Sequence, residues 1–304
     1  MAVIYLRSYG KINLCLDVTG LREDGYHQLE TVMQRISLYD RIRLEWDSRA
    51  ETDDAGPPVE IQVKTNKPYL PVDERNLAYK AAKLMAERYA DGRERGRISI
   101  SIVKNVPVSA GLAGGSGNGA AVLIGLNRLW NLGLTTRQLC RLGETLGADV
   151  PFCILSQNTR YDCALATGRG EILRPLRDGM KKYLVLAKPA FGVSTKEVFQ
   201  QIDRFDIKER PDSKALIRGL KEREDAPVYQ NMINVLELYT LSRYEAVRRL
   251  KEQFIQQTDA KKVLMSGSGP TVFGVYDTEL EAKNACETIR RLKYEAYWVS
   301  TTKR

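Results

Sequence analysis

The stretch Gly111-Leu-Ala-Gly-Gly-Ser-Gly-Asn-Gly119 places five glycines in nine residues, a density costly to the interior of a strand or a helix. Just before it, residues 97–103 alternate Ile98, Ile100 and Ile102 with polar residues, the period of a half-buried strand. Just after it, residues 120–130 run apolar to Trp130 and read as a helix. The sequence therefore predicts a glycine turn over 109–119 that joins a strand to a helix. Backbone N–H groups bare of side chains and backed by a helix N-terminus hold an anion with no lysine required, and phosphate is the natural guest. A plain connection needing positive φ is satisfied by one or two glycines rather than five. No Gly-Lys-Ser/Thr follows, which excludes a Walker A loop. Gly115-x-Gly117-x-x-Ala120 is followed by another helix and by no second strand ending in an acidic residue, which excludes a dinucleotide fingerprint.

Four further constellations stand out. Met265-Ser-Gly-Ser-Gly-Pro-Thr271 is a second glycine loop, readable alone as a β-turn between strands. Lys11 and Asn13 are two residues apart and so share one face of a strand, as a catalytic pair or as a solvent-facing one. Asp149, in Gly147-Ala-Asp-Val-Pro151, is either a helix cap or a carboxylate whose apolar setting calls for a cationic partner. Tyr26 and His27 place an aromatic ring beside the chain's one histidine, a pair that could hold a nucleobase; with no second His and no clustered Cys, a transition-metal site is not indicated.

The chain has 304 residues, enough for about two domains. Its 43% hydrophobic and 28% charged residues describe a globular chain rather than a disordered one. The formal net charge of +9 suits nucleic acid, a membrane surface or a phosphorylated small molecule alike. No aromatic-interleaved basic stripe supports nucleic acid, and residues 203–225 mix both signs as solvated surface does. Five cysteines, none in a CxxC pair, point to a reducing cytoplasm. No apolar run reaches membrane-spanning length, and Arg7 and Lys11 interrupt the start before a signal core could form. Strands are expected over 3–6, 12–18, 41–46, 183–187, 263–264, 271–276 and 296–300. Helices are expected over 76–90, ended by Asp91-Gly92, and over 136–146, 196–199, 214–220, 231–250 and 279–292. Residues 47–58, ending in Gly56-Pro-Pro58, read as a surface loop, and a domain boundary is placed at Arg174-Pro175.

In this order the pieces resemble the GHMP small-molecule kinase superfamily, whose motifs are an N-terminal lysine strand, a Pro-x-x-x-Gly-Leu-x-x-Ser phosphate loop and a C-terminal glycine loop. The likeness rests on Lys11-Ile-Asn13-Leu, on residues 22–34 around Asp24-Gly-Tyr-His27, and on Gly111-Leu-Ala-Gly-Gly-Ser116. It continues in Leu126-Asn-Arg-Leu-Trp130, Gly147-Ala-Asp149-Val-Pro-Phe, Gly168-Arg-Gly-Glu171 and Ser266-Gly-Ser-Gly269. The Asp-Gly-Tyr-His stretch belongs to the branch that phosphorylates a cytidine diphosphate-linked polyol in non-mevalonate isoprenoid biosynthesis. The resemblance implies an α+β, two-domain architecture, with a ribosomal protein S5 domain 2-like domain over 1–175, a ferredoxin-like domain over 176–304 and the active site between them. It implies ATP and Mg²⁺ as cofactors, though no metal ligands, and a cytidyl small molecule rather than nucleic acid or membrane as partner, in a monomer or homodimer. Catalysis would fall to Lys11 and Asp149, and substrate binding to Asn13, Tyr26, His27, Thr195 and Phe199. ATP binding would fall to Pro107, Gly111, Leu112, Ala113, Gly114, Gly115, Ser116, Gly117, Asn118 and Gly267. Rival expectations are a GHMP kinase acting on another alcohol, such as a sugar, homoserine or mevalonate, and a weakened non-catalytic paralogue. The sequence departs from the family pattern at Ala113, at Gly117 where a hydroxyl is usual, at Thr167 in place of a common Glu, near 158–162 where residues look inserted, and at Pro270-Thr271.

Overall fold

The computed structural model describes residues 1–48, 50, 58–90 and 95–301. Gly56, Pro57 and the helix-ending Asp91-Gly92 lie outside the described residues. The chain divides into two compact units, each assembled from separate stretches. Unit 1 holds residues 1–10, 39–107 and 113–160; unit 2 holds 11–38, 108–112 and 161–304. A boundary at 175 divides the chain once, whereas these units interleave, because the long strands β1 (Ala2–Leu21) and β2 (His27–Asp47) each give residues to both. Arg174 and Pro175 themselves lie within a strand, β6, introduced below.

In unit 1, β3 (Val59–Thr65) runs parallel to β4 (Gly96–Val103), which pairs antiparallel with residues 41–47 of β2. The alternation of Ile98, Ile100 and Ile102 turns all three into the core, as the sequence predicts. Helix α1 (Leu77–Tyr89) starts where Asn76 caps it, the Asn76 side chain accepting from the Ala78 amide. It buries Ala78, Ala81, Ala82 and Met85 toward α2 (Gly114–Leu129), and α3 (Thr136–Glu144) and α4 (Val150–Asn158) complete the layer. Helix α2 begins at Gly114 rather than Ala120, so the second half of the glycine stretch is the first turn and a half of a helix. Its glycines are tolerated there because Gly114, Gly117 and Gly119 are buried and the turn is held by tertiary contacts, which override intrinsic propensity.

In unit 2, residues 29–34 of β2 pair with β5 (Cys163–Gly168), and β5 with β6 (Ile172–Leu176). A second, wholly antiparallel sheet has the order β10-β7-β9-β8, from β7 (Tyr183–Lys188), β8 (Lys262–Met265), β9 (Val272–Tyr276) and β10 (Glu295–Ser300). Five helices separate β7 from β8: α5 (Thr195–Ile202), α6 (Ser213–Glu222), α7 (Asp225–Asn231), α8 (Glu237–Arg243) and α9 (Glu245–Gln257); α10 (Glu279–Arg291) separates β9 from β10. Apart from those extra helices this is the β-α-β-β-α-β order of a ferredoxin-like domain. The helix expected over 231–250 is broken at 232–236 and at Tyr244, and an isolated bridge pairs Asn234 with Leu16.

All five cysteines are free. Burial pushes the Cys15 thiol up to about 12 and the Cys140 thiol up to about 11, and raises those of Cys163 and Cys286. Because the thiolate is the nucleophile, these residues fill space rather than do chemistry. Native protein at pH 8 is therefore expected to react with iodoacetamide at least about tenfold slower per thiol than a free cysteine, and to label fully in denaturant. A thiol that labels at the free rate in the native protein would contradict this.

Candidate active site

In unit 1 the phosphate-loop candidates Gly114, Gly115, Ser116, Gly117 and Asn118 occupy the N-terminus of the 16-residue helix α2. The residue at its N-cap, Ala113, is left-handed (φ 54°) and supplies no side-chain cap. The Gly117 amide donates to Ala113 O at 2.8 Å, so the intrahelical ladder begins there and the amides of Gly114, Gly115 and Ser116 stand ahead of it. Uncapped amides at the positive end of a helix macrodipole suit an anion.

What holds this turn in place is a group that spacing arguments did not single out. Asp40 is fully buried, and its Oδ1 accepts from the amides of Asn105 and Val106, both at 2.8 Å. Its Oδ2 accepts from Asn118 Nδ2 at 2.8 Å and from Lys104 Nζ. Lys104 Nζ also donates to Asn118 Oδ1 at 3.3 Å, and Asn118 Nδ2 donates to Ser8 Oγ at 2.9 Å. The ammonium lies 2.9 Å from where a Cβ on Gly114 would sit, which brings a compensated positive charge directly against the first turn of α2. Asn118 is thus a structural clamp on this turn, and no local sequence signal announces Asp40 or Lys104.

Gly117, where the family pattern carries a hydroxyl, is required by its surroundings. A Cβ there would lie 2.7 Å from Ser8 Oγ and 3.1 Å from Tyr9 O, so β1 passes too close for a side chain. Also in unit 1, Asp149 is the N-cap of α4, but its side chain makes no capping hydrogen bond. Capping therefore does not account for it. Pro107 is half-buried at the end of the turn that Asp40 holds.

Unit 2 gathers the other candidates. Lys11 and Asn13 are almost fully buried, and Lys11 Nζ donates to Asn13 Oδ1 at 2.9 Å. Asn13 Nδ2 donates in turn to Thr31 Oγ1 at 2.8 Å, and Thr31 Oγ1 to Cys15 O at 2.6 Å. This chain fixes the orientation of the Asn13 amide and, through it, of the lysine. The Lys11 amide donates to Leu112 O at 3.1 Å. Gly111 (φ +72°) lies against the second glycine loop: a Cβ there would meet Ser266 O at 2.1 Å, and Ser266 Oγ donates to Gly111 O at 3.0 Å. The two glycine loops are in contact at this point, and Gly267 comes up beside Asn13, whose Oδ1 is 3.6 Å from the position of a Cβ on Gly267.

Thr195 and Phe199 stand one turn apart on α5. The Thr195 hydroxyl lies 2.8 Å from Ser268 Oγ, and the Phe199 ring lies 5.4 Å from that of His27, tilted 31°. Tyr26, 56% exposed, is covered instead by the Arg169 guanidinium, 4.9 Å from its ring centre. Phe199 thus faces His27, and Tyr26 faces Arg169.

Family models match this chain twice, as GHMP kinases N terminal domain over residues 76–157 and GHMP kinases C terminal over 214–295. The 4-diphosphocytidyl-2-C-methyl-D-erythritol kinase of Alkaliphilus oremlandii is 44% identical over 302 residues, 99% of this chain and 97% of that one. The kinase of the same name from Clostridium novyi is 41% identical over 98% of this chain and the whole of that one. The chain belongs to the GHMP kinases, in the 4-diphosphocytidyl-2-C-methyl-D-erythritol kinase family. A crystal structure of 4-(cytidine 5'-diphospho)-2C-methyl-D-erythritol kinase matches with a TM-score of 0.76 at 30% identity over 98% of both chains. A homoserine kinase from Cytophaga hutchinsonii matches with a TM-score of 0.70 at 17% identity, a likeness of fold. The two-domain GHMP kinase fold and a small-molecule kinase that uses ATP are thereby shown for this chain.

The close approach at Gly117 can be tested by mutation. Gly117→Ala is expected to cost about 1 to 3 kcal/mol by overpacking, and Ser8→Ala in the same chain should return part of that loss. Urea denaturation of the two single variants and the double checks it; a double variant as unstable as the sum of the singles would contradict it.

Proposed function

We propose that the protein transfers the γ-phosphoryl group of ATP to the 2-hydroxyl of 4-diphosphocytidyl-2-C-methyl-D-erythritol, as a cytoplasmic enzyme of non-mevalonate isoprenoid precursor synthesis. The observation that carries the reaction class is the set of uncapped amides at Gly114, Gly115 and Ser116, buttressed from below by Lys104 and Asp40. The substrate assignment is supported by end-to-end identity of 41–44% with relatives of that name, and by the rings of His27 and Phe199 set together in unit 2.

Phosphoryl transfer of this kind passes through a loose transition state, so the protein has mainly to position two substrates in line and neutralise charge. The amides of the α2 N-terminus would take the nucleotide phosphates. Among the described residues no group of three or more His, Cys, Asp and Glu could hold a metal ion. The donor set fits a Mg²⁺ carried on the nucleotide, since this ion commonly binds through phosphates, waters and one or two protein groups; Ser116, on the first turn of α2, has the hydroxyl that would join it. Bound there, Mg²⁺ supplies charge neutralisation at the β and γ oxygens. Asp149 would accept the proton of the reacting hydroxyl, and Lys11, steered by its bond to Asn13, would steady the alkoxide oxygen. Thr195 and Phe199 would line the cytidyl end of the substrate together with Tyr26 and His27.

Asp149→Asn is expected to lower kcat by on the order of 10² to 10⁴ with KM little changed. Lys11→Met should do the same, and the double variant should lose far less than the product of the two, because both groups act on one proton. Steady-state ADP release with the cytidyl alcohol is the measurement. An Asp149→Asn enzyme that keeps more than about a third of wild-type kcat would overturn the assignment.

A further inference from the structure

The side chain of His27 has a partner that phosphoryl transfer does not require. Its Nε2 lies 2.9 and 3.1 Å from the two carboxylate oxygens of Asp203, while its ring packs on Phe199. Asp203 is the C-cap of α5, where a carboxylate faces the negative end of the helix dipole. The Asp203 side chain is 58% exposed, and an ion pair so open to water adds little stability. Neither helix capping nor stability explains why an acid stands there, whereas control of the imidazole does.

An ionised carboxylate has only acceptors, so the Nε2 that faces it must carry a hydrogen. In the neutral ring that leaves Nδ1 as a bare lone pair. Nδ1 has no hydrogen-bond partner among the described residues, so it is available to a ligand. Resting on the cytidyl reading above, we infer that Asp203 is a positioning residue that fixes the tautomer of His27, so that Nδ1 accepts from the exocyclic amine of cytosine. Uracil carries a carbonyl at the same position and would bring one lone pair against another. Specificity for cytosine over uracil is thus set by a carboxylate that does not touch the base, acting through a ring that packs on Phe199.

His27 is the only histidine in the chain, so ¹⁵N labelling of histidine reports this one ring without assignment. At pH 8, where an ordinary imidazole is neutral, the wild-type protein should show a protonated Nε2 and a bare Nδ1. Asp203→Lys replaces a side chain of acceptors with one of donors only, and a lysine at this helix end is electrostatically favourable to the fold. That variant should move the proton to Nδ1 and lower the ratio of kcat/KM for the cytidyl alcohol to that for its uridyl analogue by at least about tenfold. Asp203→Glu should keep both the wild-type tautomer and the wild-type ratio. A wild-type ring protonated at Nδ1, or an Asp203→Lys enzyme that keeps the cytidyl preference, overturns the role of Asp203 while leaving the substrate assignment intact. A wild-type enzyme that uses the uridyl analogue as well as the cytidyl one, with the tautomer as expected, overturns the substrate assignment and the specificity role with it.

Discussion

The four hydrogen bonds accepted by the buried carboxylate of Asp40 are the constraint on which the glycine turn at the start of α2 depends. Two go to consecutive backbone amides, one to a lysine and one to Asn118 in the first turns of α2. A strand end, a turn and a helix start are thereby fixed to one atom pair. Removing one partner of such a buried pair costs about 3 to 5 kcal/mol, so the arrangement holds as a unit. For the proposed phosphate site this means pre-organisation: the amides of Gly114 to Ser116 are already aimed, and little ordering would remain to be done on binding. Gly117 is fixed in the same region, since β1 lies against α2 too closely for a side chain there.

Unit 2 shows the same logic around the residues proposed to hold the acceptor substrate. Lys11 is steered by Asn13, which is steered by Thr31, which donates to a backbone carbonyl. Each flexible polar group is thus committed by the next one along, and the last is committed by the sheet. Helix α5 then carries three relevant side chains on nearby turns: Thr195 against Ser268, Phe199 against the His27 ring and Asp203 on its Nε2. In both units the polar groups proposed to meet substrate are held by buried neighbours.

Much of this was legible in the sequence because its signals are local. The alternation of Ile98, Ile100 and Ile102 marks β4, Asn76 marks the start of α1, and five close glycines mark the turn into α2. Lys11 and Asn13 share a strand face by spacing alone, and they do hydrogen-bond. The misses have physical causes. Helix α4 buries every residue from Val150 to Ser156, so it shows no polar face to read. The break at 232–236 is made by a pairing of Asn234 with β1 far upstream. Asp40 meets its lysine across 64 residues and Asn118 across 78, and His27 meets Asp203 across 176. Spacing arguments see one helix or one strand, and none of these contacts lies within one.

The central claim is the identity of the phosphoryl acceptor. With the purified protein, ATP and Mg²⁺, ³¹P NMR should show 4-diphosphocytidyl-2-C-methyl-D-erythritol gaining one phosphomonoester resonance in step with the appearance of ADP, while mevalonate, homoserine and simple sugars gain none at the same enzyme concentration. Faster phosphorylation of any of those alcohols, or ADP release without a new phosphomonoester on the cytidyl compound, would contradict the account.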